Sequence, residues 1–348
     1  MKKSLISLAV LAASGASFAQ SSVSVYGILD VAFASVKQDN AATQTVINSG
    51  AVDTSRYGFK GSEDLGAGLK ANFKLEQGIN VDKGTVNSTV ANSAFSRYAY
   101  VGFSGESFGE IKLGLTGTAY DDINANADPV FDSQMFGPQN IVFISSQSYN
   151  WNPANSFYYA TPSVSGFSGA FSYSLGEDKV TPGTVTGDAS SITSLHFKYE
   201  AGPLYAGFAY QSESLQLVAK PNDLSTDYTR LNATYDLGVA KLLAAYGHVV
   251  NVNSVKDAEA TEWTIGADYP VTSTLILSGG YARSNHNDIM ASGAAGLSSA
   301  TNKVISFGGS YSLSKRTSIY AGYESHTYTK ASIDTSGSTV GTGVKHTF

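Results

Sequence analysis

From residue 22 to the end of the chain, segments of about ten residues recur in which every second side chain is apolar. In 67–77, Leu69, Ala71, Phe73 and Leu75 fall on one side of an extended chain, and Lys70, Asn72, Lys74 and Glu76 on the other. The segment 260–269 repeats this, with Trp263, Ile265, Ala267 and Tyr269 opposed to Glu262, Thr264, Gly266 and Asp268. In 22–34, Val23, Val25, Leu29, Val31 and Phe33 oppose Ser24, Tyr26 and Asp30. Period two is the mark of a strand with one apolar and one polar face. No helical periodicity persists.

The start of the chain reads as an export signal over 1–20, cleaved after 19 or 20. Lys2 and Lys3 are its basic head, 5–13 its apolar stretch, and Ser17-Phe18-Ala19 its small-x-small ending. That apolar stretch is too short to span a bilayer, and no later run reaches the roughly 18 apolar residues of a spanning helix. There is no cysteine, so neither disulfides nor thiol chemistry enter. Tyr and Phe, 21 and 17 of them against 8 Pro, favour strands. Without Lys2 and Lys3, 20 basic side chains face 28 acidic ones, a balance that disfavours nucleic acid as a partner.

Sixteen strands are expected, at about 22–34, 54–61, 67–77, 95–102, 109–118, 155–161, 167–176, 191–200, 203–212, 227–236, 239–249, 260–269, 273–283, 302–312, 316–327 and 340–348. Seven connections are short and rich in Gly, Pro, Asp and Ser, as tight turns require. Eight are longer and polar, near 35–53, 78–94, 119–154, 177–190, 213–226, 250–259, 284–301 and 328–339. Long and short alternate, as they do in a closed antiparallel barrel crossing an outer membrane, with short periplasmic turns and long outer loops. The expected fold is therefore all-β: one 16-stranded antiparallel transmembrane β-barrel over 21–348. A barrel that wide encloses water rather than a packed core.

The longest connection carries Asp121, Asp122, Asp128 and Asp132 and is expected to fold inward and narrow the lumen. Facing it, Arg56 and Lys60 on strand 2, Lys70 and Lys74 on strand 3, Arg97 on strand 4 and Lys112 on strand 5 would form a basic wall. Fixed charges at a narrowing favour counter-ions and hinder like-charged solutes. Lys70, Lys74 and Glu76, hydrated in the lumen, would need no buried partners. Arg230, Arg283, Arg316, Glu200, Asp236, Glu324 and His326 are further lining or rim groups without individual roles. Tyr98, Tyr100, Tyr159, Phe197, Tyr199, Phe208, Tyr235, Trp263, Tyr269 and Phe348 are expected at the membrane boundaries. Phe348 is also a candidate assembly signal. Tyr26, Tyr158 and Tyr205 could face inward, but their spacing shows no clear aromatic track of the kind a sugar pore would use. An outer-membrane barrel enzyme is disfavoured. Five scattered histidines come with neither a Gly-x-Ser-x-Gly elbow nor a His-Glu-x-x-His element, and no metal spacing among them is convincing.

Several blocks resemble the general diffusion porins of Gram-negative bacteria, in the branch typical of beta-proteobacteria and Neisseria. They are Val-Tyr-Gly-Ile-Leu-Asp at 25–30, the run Ser-Arg-Tyr-Gly-Phe-Lys-Gly-Ser-Glu-Asp-Leu-Gly-Ala-Gly-Leu-Lys-Ala-Asn-Phe-Lys-Leu-Glu at 55–76, Phe-Gly-Glu-Ile-Lys-Leu-Gly at 108–114 and the closing Lys-His-Thr-Phe at 345–348. The resemblance implies a homotrimer of separate pores in the outer membrane, among its lipid and lipopolysaccharide and placed there by the barrel assembly machinery. It implies passive passage of ions and small hydrophilic solutes, with no cofactor. Relatives specific for a sugar or organic anion make a solute-specific pore the alternative. Arg56 and Arg97 match basic wall positions of anion-preferring relatives. Arginines often found after Asn-Ser and after Lys-Leu-Gly are replaced here by Phe157 and Leu115. The thinned basic cluster predicts poor charge discrimination or a mild cation preference.

Overall fold

The computed structural model describes residues 22–88, 93–176, 189–214, 224–290 and 297–348. The expected export signal, and parts of the second, fourth, fifth and seventh outer connections, lie outside the described residues. Sixteen strands form the wall: β1 Ser22–Gln38, β2 Arg56–Gly66, β3 Leu69–Asn80, β4 Tyr98–Gly105, β5 Gly109–Leu115, β6 Ser156–Ala160, β7 Phe167–Leu175 and β8 Ser191–Ala201. They continue as β9 Leu204–Ser214, β10 Ser225–Asp236, β11 Lys241–Val250, β12 Glu259–Pro270, β13 Leu275–Met290, β14 Leu297–Ser312, β15 Thr317–Lys330 and β16 Ile333–Thr347.

Each strand runs antiparallel to its chain neighbours, and β16 closes the sheet on β1, from Ile28 opposite Thr347 to Gln38 opposite Gly337. The other edge of β1 is shared. Ser22 to Ile28 pair with β2, and Val31 to Val36 pair with a short strand, Gln44–Ser49, folded back from the first loop. Closure leaves no sheet edge, so the backbone bonds are satisfied within the wall.

The burial pattern is inverted relative to a soluble protein. Val25, Val101, Phe103, Leu113 and Ile265 are more than half or nearly half exposed on the outside. Glu76, Ser172, Ser194, Arg230 and Glu262 are buried inside. The outer belt is the face that meets lipid. Phe197, Phe208, Tyr235, Trp263 and Tyr269 stand on it as expected.

Two expectations are corrected. The last outer connection is a two-residue turn, Ala331 and Ser332, both at positive φ, because β15 and β16 pair up to Lys330 and Ile333. Strand segments beyond the membrane need no apolar face, so this polar stretch reads as a loop although it is sheet. Tyr98 and Tyr100 face the lumen rather than the membrane boundary; Ala99, Val101 and Phe103 are the outward set of β4. Both faces of that strand carry apolar side chains, so alternation alone leaves its phase undecided.

The third outer loop, between β5 and β6, folds into the barrel. It holds the helices α1 Asp121–Asn124, α2 Pro138–Val142 and α3 Ile144–Gln147 and one turn of 3₁₀-helix, Ala125–Ala127. It lies along the wall from β7 round to β15. Glycines on the inward face make room for it: a Cβ on Gly266 or Gly280 would stand 2.3 Å from Pro129, and one on Gly322 would stand 2.6 Å from Phe136. Because the chain lacks cysteine, single cysteines report this geometry cleanly. Lys60→Cys should react with a water-soluble maleimide in intact vesicles, and Phe59→Cys should not; the labelling rates should differ by at least about tenfold.

Candidate functional site

The inserted loop is held by two buried charges on the wall. Arg230 of β10 and Glu262 of β12 sit at one level, with Gly247 of β11 between them. Arg230 is fully buried and uses all five of its N–H donors. Nε donates to Tyr120 Oη (3.3 Å), Nη1 to Asn124 O (3.2 Å) and Gln139 Oε1 (2.7 Å), and Nη2 to Ser145 Oγ (2.8 Å) and Ser146 Oγ (2.7 Å). Glu262 accepts from the Ile144 and Ser145 amides and from Ser145 Oγ. Ser145 fills the space that Gly247 leaves empty. Each charge is compensated by the loop and the loop by each charge.

Apolar contacts complete the seat. Tyr120, Ile123 and Tyr149 pack with Tyr228 and Val249; Val142 and Phe143 pack with Ala282 and Val304; Val130 and Phe136 pack with Ala32, Ala51 and Tyr320. The turn of the loop rests on the first loop: Ser133 Oγ and Met135 N both donate to Ala51 O (2.6 and 2.9 Å). The first loop is in turn pinned by Asp30, which accepts from the amides of Ala51, Val52 and Asp53 and from Tyr320 Oη.

Facing the loop is the inner side of β1–β6, where the predicted basic residues stand. Arg56 and Lys74 project inward from β2 and β3. Arg97 lies one residue before β4 rather than on it, so strand phase does not constrain its direction, and its Nε reaches Glu76 Oε1 at 2.7 Å. Glu76 is the centre of this group and is buried, against the expectation that it needs no partners. Lys74 Nζ lies 3.3 Å from it, Arg56 Nε 4.0 Å, and Tyr26 Oη donates to it at 2.8 Å. A carboxylate surrounded by three cations is a dry position that hydration alone would not satisfy. Asp53 extends the network to Arg56 (3.1 Å) and Lys345 (3.5 Å). Lys60 and Lys70 are exposed, Lys70 next to the β2–β3 turn, and Lys112 pairs with Glu110 at 2.8 Å.

The loop carboxylates divide. Asp121 accepts from Tyr149 Oη (2.5 Å); Asp122 accepts from Tyr158 Oη (2.6 Å) and lies 3.3 Å from His196 Nδ1. Asp128 is turned into the loop itself, accepting from Gln139 N (3.1 Å) and Asn140 Nδ2 (3.4 Å), and so is not a free lumen charge. Asp132 accepts from Asn140 Nδ2 (3.2 Å). Burial raises Asp121 to about 6, against the Tyr149 hydrogen bond and with repulsion from Asp122 adding to the rise. Burial likewise raises Asp132 to about 7, with Asn140 opposing and Asp53 repelling, and raises Asp128, which Asp132 repels.

The predicted residues are thus divided between two faces of one lumen, and the pair that fixes the loop, Arg230 and Glu262, had no assigned role in the sequence. The available signal was local: a charge on the inward phase of β10 and another on β12, separated by the inward Gly247. Phe348 ends β16 by exchanging two backbone bonds with Gly27, both 3.0 Å, and its ring covers that glycine.

A closed sixteen-strand wall, lipid-facing outside and narrowed inside by its third loop, is a diffusion channel of an outer membrane. The chain belongs to the Gram-negative porin family, whose model matches residues 5–331. It is 37% identical to outer membrane porin protein 32 of Delftia acidovorans over 283 residues, 78% of this chain and 76% of that protein. It is 31% identical to an outer membrane porin protein of Bordetella pertussis over 405 residues, spanning both chains completely. The anion-selective porin from Comamonas acidovorans superposes with a TM-score of 0.76 at 25% identity, covering 94% of this chain and 100% of that one. The trimer form of Vibrio cholerae OmpT shares the fold, with a TM-score of 0.68 at 16% identity, covering 94% and 99%. The protein is an outer-membrane porin through which ions and small hydrophilic solutes diffuse passively.

Removing Arg230 uncovers Glu262 and five acceptors of the loop. Breaking a buried charged contact of this kind costs about 3–5 kcal/mol. Arg230→Ala should leave the barrel folded but release the loop, seen as rapid proteolysis within 119–154 and flickering single-channel current.

Proposed function

We propose that this porin discriminates weakly between anions and cations. The observation that carries this reading is Glu76, which sits among Arg56, Lys74 and Arg97 and offsets one of their three charges. Asp53 offsets Arg56 and Lys345 further, and Asp121 and Asp122 face the wall from the loop. Opposed charges this close leave a transverse field with little net sign. The Comamonas acidovorans porin is anion-selective. Phe157 and Leu115, expected to thin the basic cluster, instead face outward, opposite Leu113 and Ala99, so the balance in the lumen rests on the carboxylates and not on these two positions.

Reversal potentials across a planar bilayer under a KCl gradient should give a permeability ratio within about threefold of unity, about 0.7 kcal/mol of discrimination. A strong anion preference in the native channel would overturn the reading. Glu76→Gln should move the ratio severalfold toward anions.

The loop carboxylates add a pH dependence. Asp121 and Asp132 hold their protons to about 6 and about 7, so acidification through that window removes negative charge from the loop face. Asp121 faces Asp122, Tyr149 and Arg97; Asp132 faces Asp128, Asp53 and Asn140. The anion-to-cation permeability ratio should therefore rise between pH 8 and pH 5. Asp121→Asn with Asp132→Asn should flatten most of that rise.

The assembled form in this reading is a homotrimer joined through β1–β5 and β16. Their outward residues include Val23, Val25, Phe59, Val101, Phe103 and Val344, and Tyr57 is the sole outward Tyr or Trp among the described residues of these strands. The remaining wall carries Tyr173, Tyr235, Tyr246, Trp263, Tyr269, Tyr311 and Tyr323. Interfacial Tyr and Trp belong where a wall meets water and lipid headgroups, so the face lacking them suits a second copy. Phe348, half exposed at the turn end, suits recognition by the assembly machinery, with lipopolysaccharide around the outer rim.

A further inference from the structure

The inner wall of β1–β6 carries a pattern that passive diffusion does not require. Four of its cations are each set against an aromatic ring. Lys74 Nζ is 3.6 Å from the centre of the Tyr98 ring, Lys60 Nζ 5.1 Å from Tyr26, Lys112 Nζ 4.5 Å from Tyr158, and the Arg97 guanidinium 4.8 Å from Trp151. The rings also meet one another edge to face: Tyr98 and Trp151 at 5.8 Å and 71°, Tyr98 and Tyr100 at 6.3 Å and 81°.

Strand register orders these groups along the channel. Tyr26, Glu76 and Tyr98 share one level through Gly58. Lys60, Lys74 and Tyr100 share the next level toward the turn end, and Lys112 and Tyr158 the one after it. Levels two residues apart are about 7 Å apart along a strand, a spacing comparable to the length of one small ring with its substituent. Rings thus stand at all three levels, and lysines join them at the two nearer the turns.

We propose that this wall is a binding track for aromatic carboxylates, solutes with a planar aryl ring bearing a carboxylate. The carboxylate pairs with Lys60, which is exposed and has no carboxylate partner among the described residues. The aryl ring extends the edge-to-face row of Trp151, Tyr98 and Tyr100, an arrangement worth more than area burial alone. A sugar acid supplies the charge but not the ring quadrupole, and its stacking needs a bare ring face, which Lys74 already covers on Tyr98. The proposal deepens the porin reading and rests on it. Steady KCl conductance tests that reading separately, and the solute measurements below test only the track.

The experiment measures current through the assembled native channel in a planar bilayer, in KCl, with benzoate, cyclohexanecarboxylate or glucuronate added from the turn end. Benzoate should block at concentrations about fivefold lower than cyclohexanecarboxylate, a difference of about 1 kcal/mol. Tyr98→Leu with Tyr100→Leu should bring the two together. Should that variant fail to insert, Lys60→Gln, on an exposed side chain, should weaken block by benzoate severalfold. Equal block by benzoate and cyclohexanecarboxylate, no block by either, stronger block by glucuronate, or an unchanged benzoate block in Lys60→Gln would each overturn the proposal.

Discussion

A peptide group facing hydrocarbon has no water to bond, so every N–H and C=O in the wall must find its partner within the sheet. The remaining features of this porin follow from that requirement. It demands closure, met here by β16 on β1. Closure separates an outer face that lipid accepts from an inner face that lipid never sees, and the inner face is then free to carry Glu76, Arg230, Glu262 and the lysines. The short strand Gln44–Ser49 serves the same requirement where β1 outruns β2.

Within the wall, polar chemistry replaces a hydrophobic core. The third loop is held through a guanidinium with every donor used and a carboxylate that caps two amides, with three small apolar clusters between them and the far side. Buried charges of this kind specify position more than they add stability. Here they determine where the loop lies, along β7–β15 with its ends touching Tyr158 and Ala32, and so leave most of β1–β6 as the open face. The loop thus acts twice: it narrows the lumen, and it selects which wall a passing solute meets. The chain of contacts from Asp30 through Ala51 to Ser133 ties that choice to the first loop.

Alternation was enough to find the sixteen strands and the inward phase of Arg56, Lys60, Lys70 and Lys74, and the length of the third connection was enough to expect its insertion. It misled where its premise lapsed. Beyond the membrane both faces of a strand are polar, and the hairpin through Ala331 and Ser332 read as a loop. On β4 both faces are apolar, and Tyr98 and Tyr100 were set on the wrong side.

The sequence by itself determined a closed barrel with a wet interior, because a period of two on so many segments has only one arrangement that satisfies lipid, water and backbone together. Only the tertiary structure decided how the charges combine. Glu76 meets Arg97, and Arg230 meets Ser145, across separations of 21 and 85 residues. Such encounters depend on the path of the inserted loop and on side-chain reach, neither of which leaves a period in the chain. The pairing of lysines with tyrosines on adjacent strands is of the same kind, since register brings together residues that no spacing in the sequence connects.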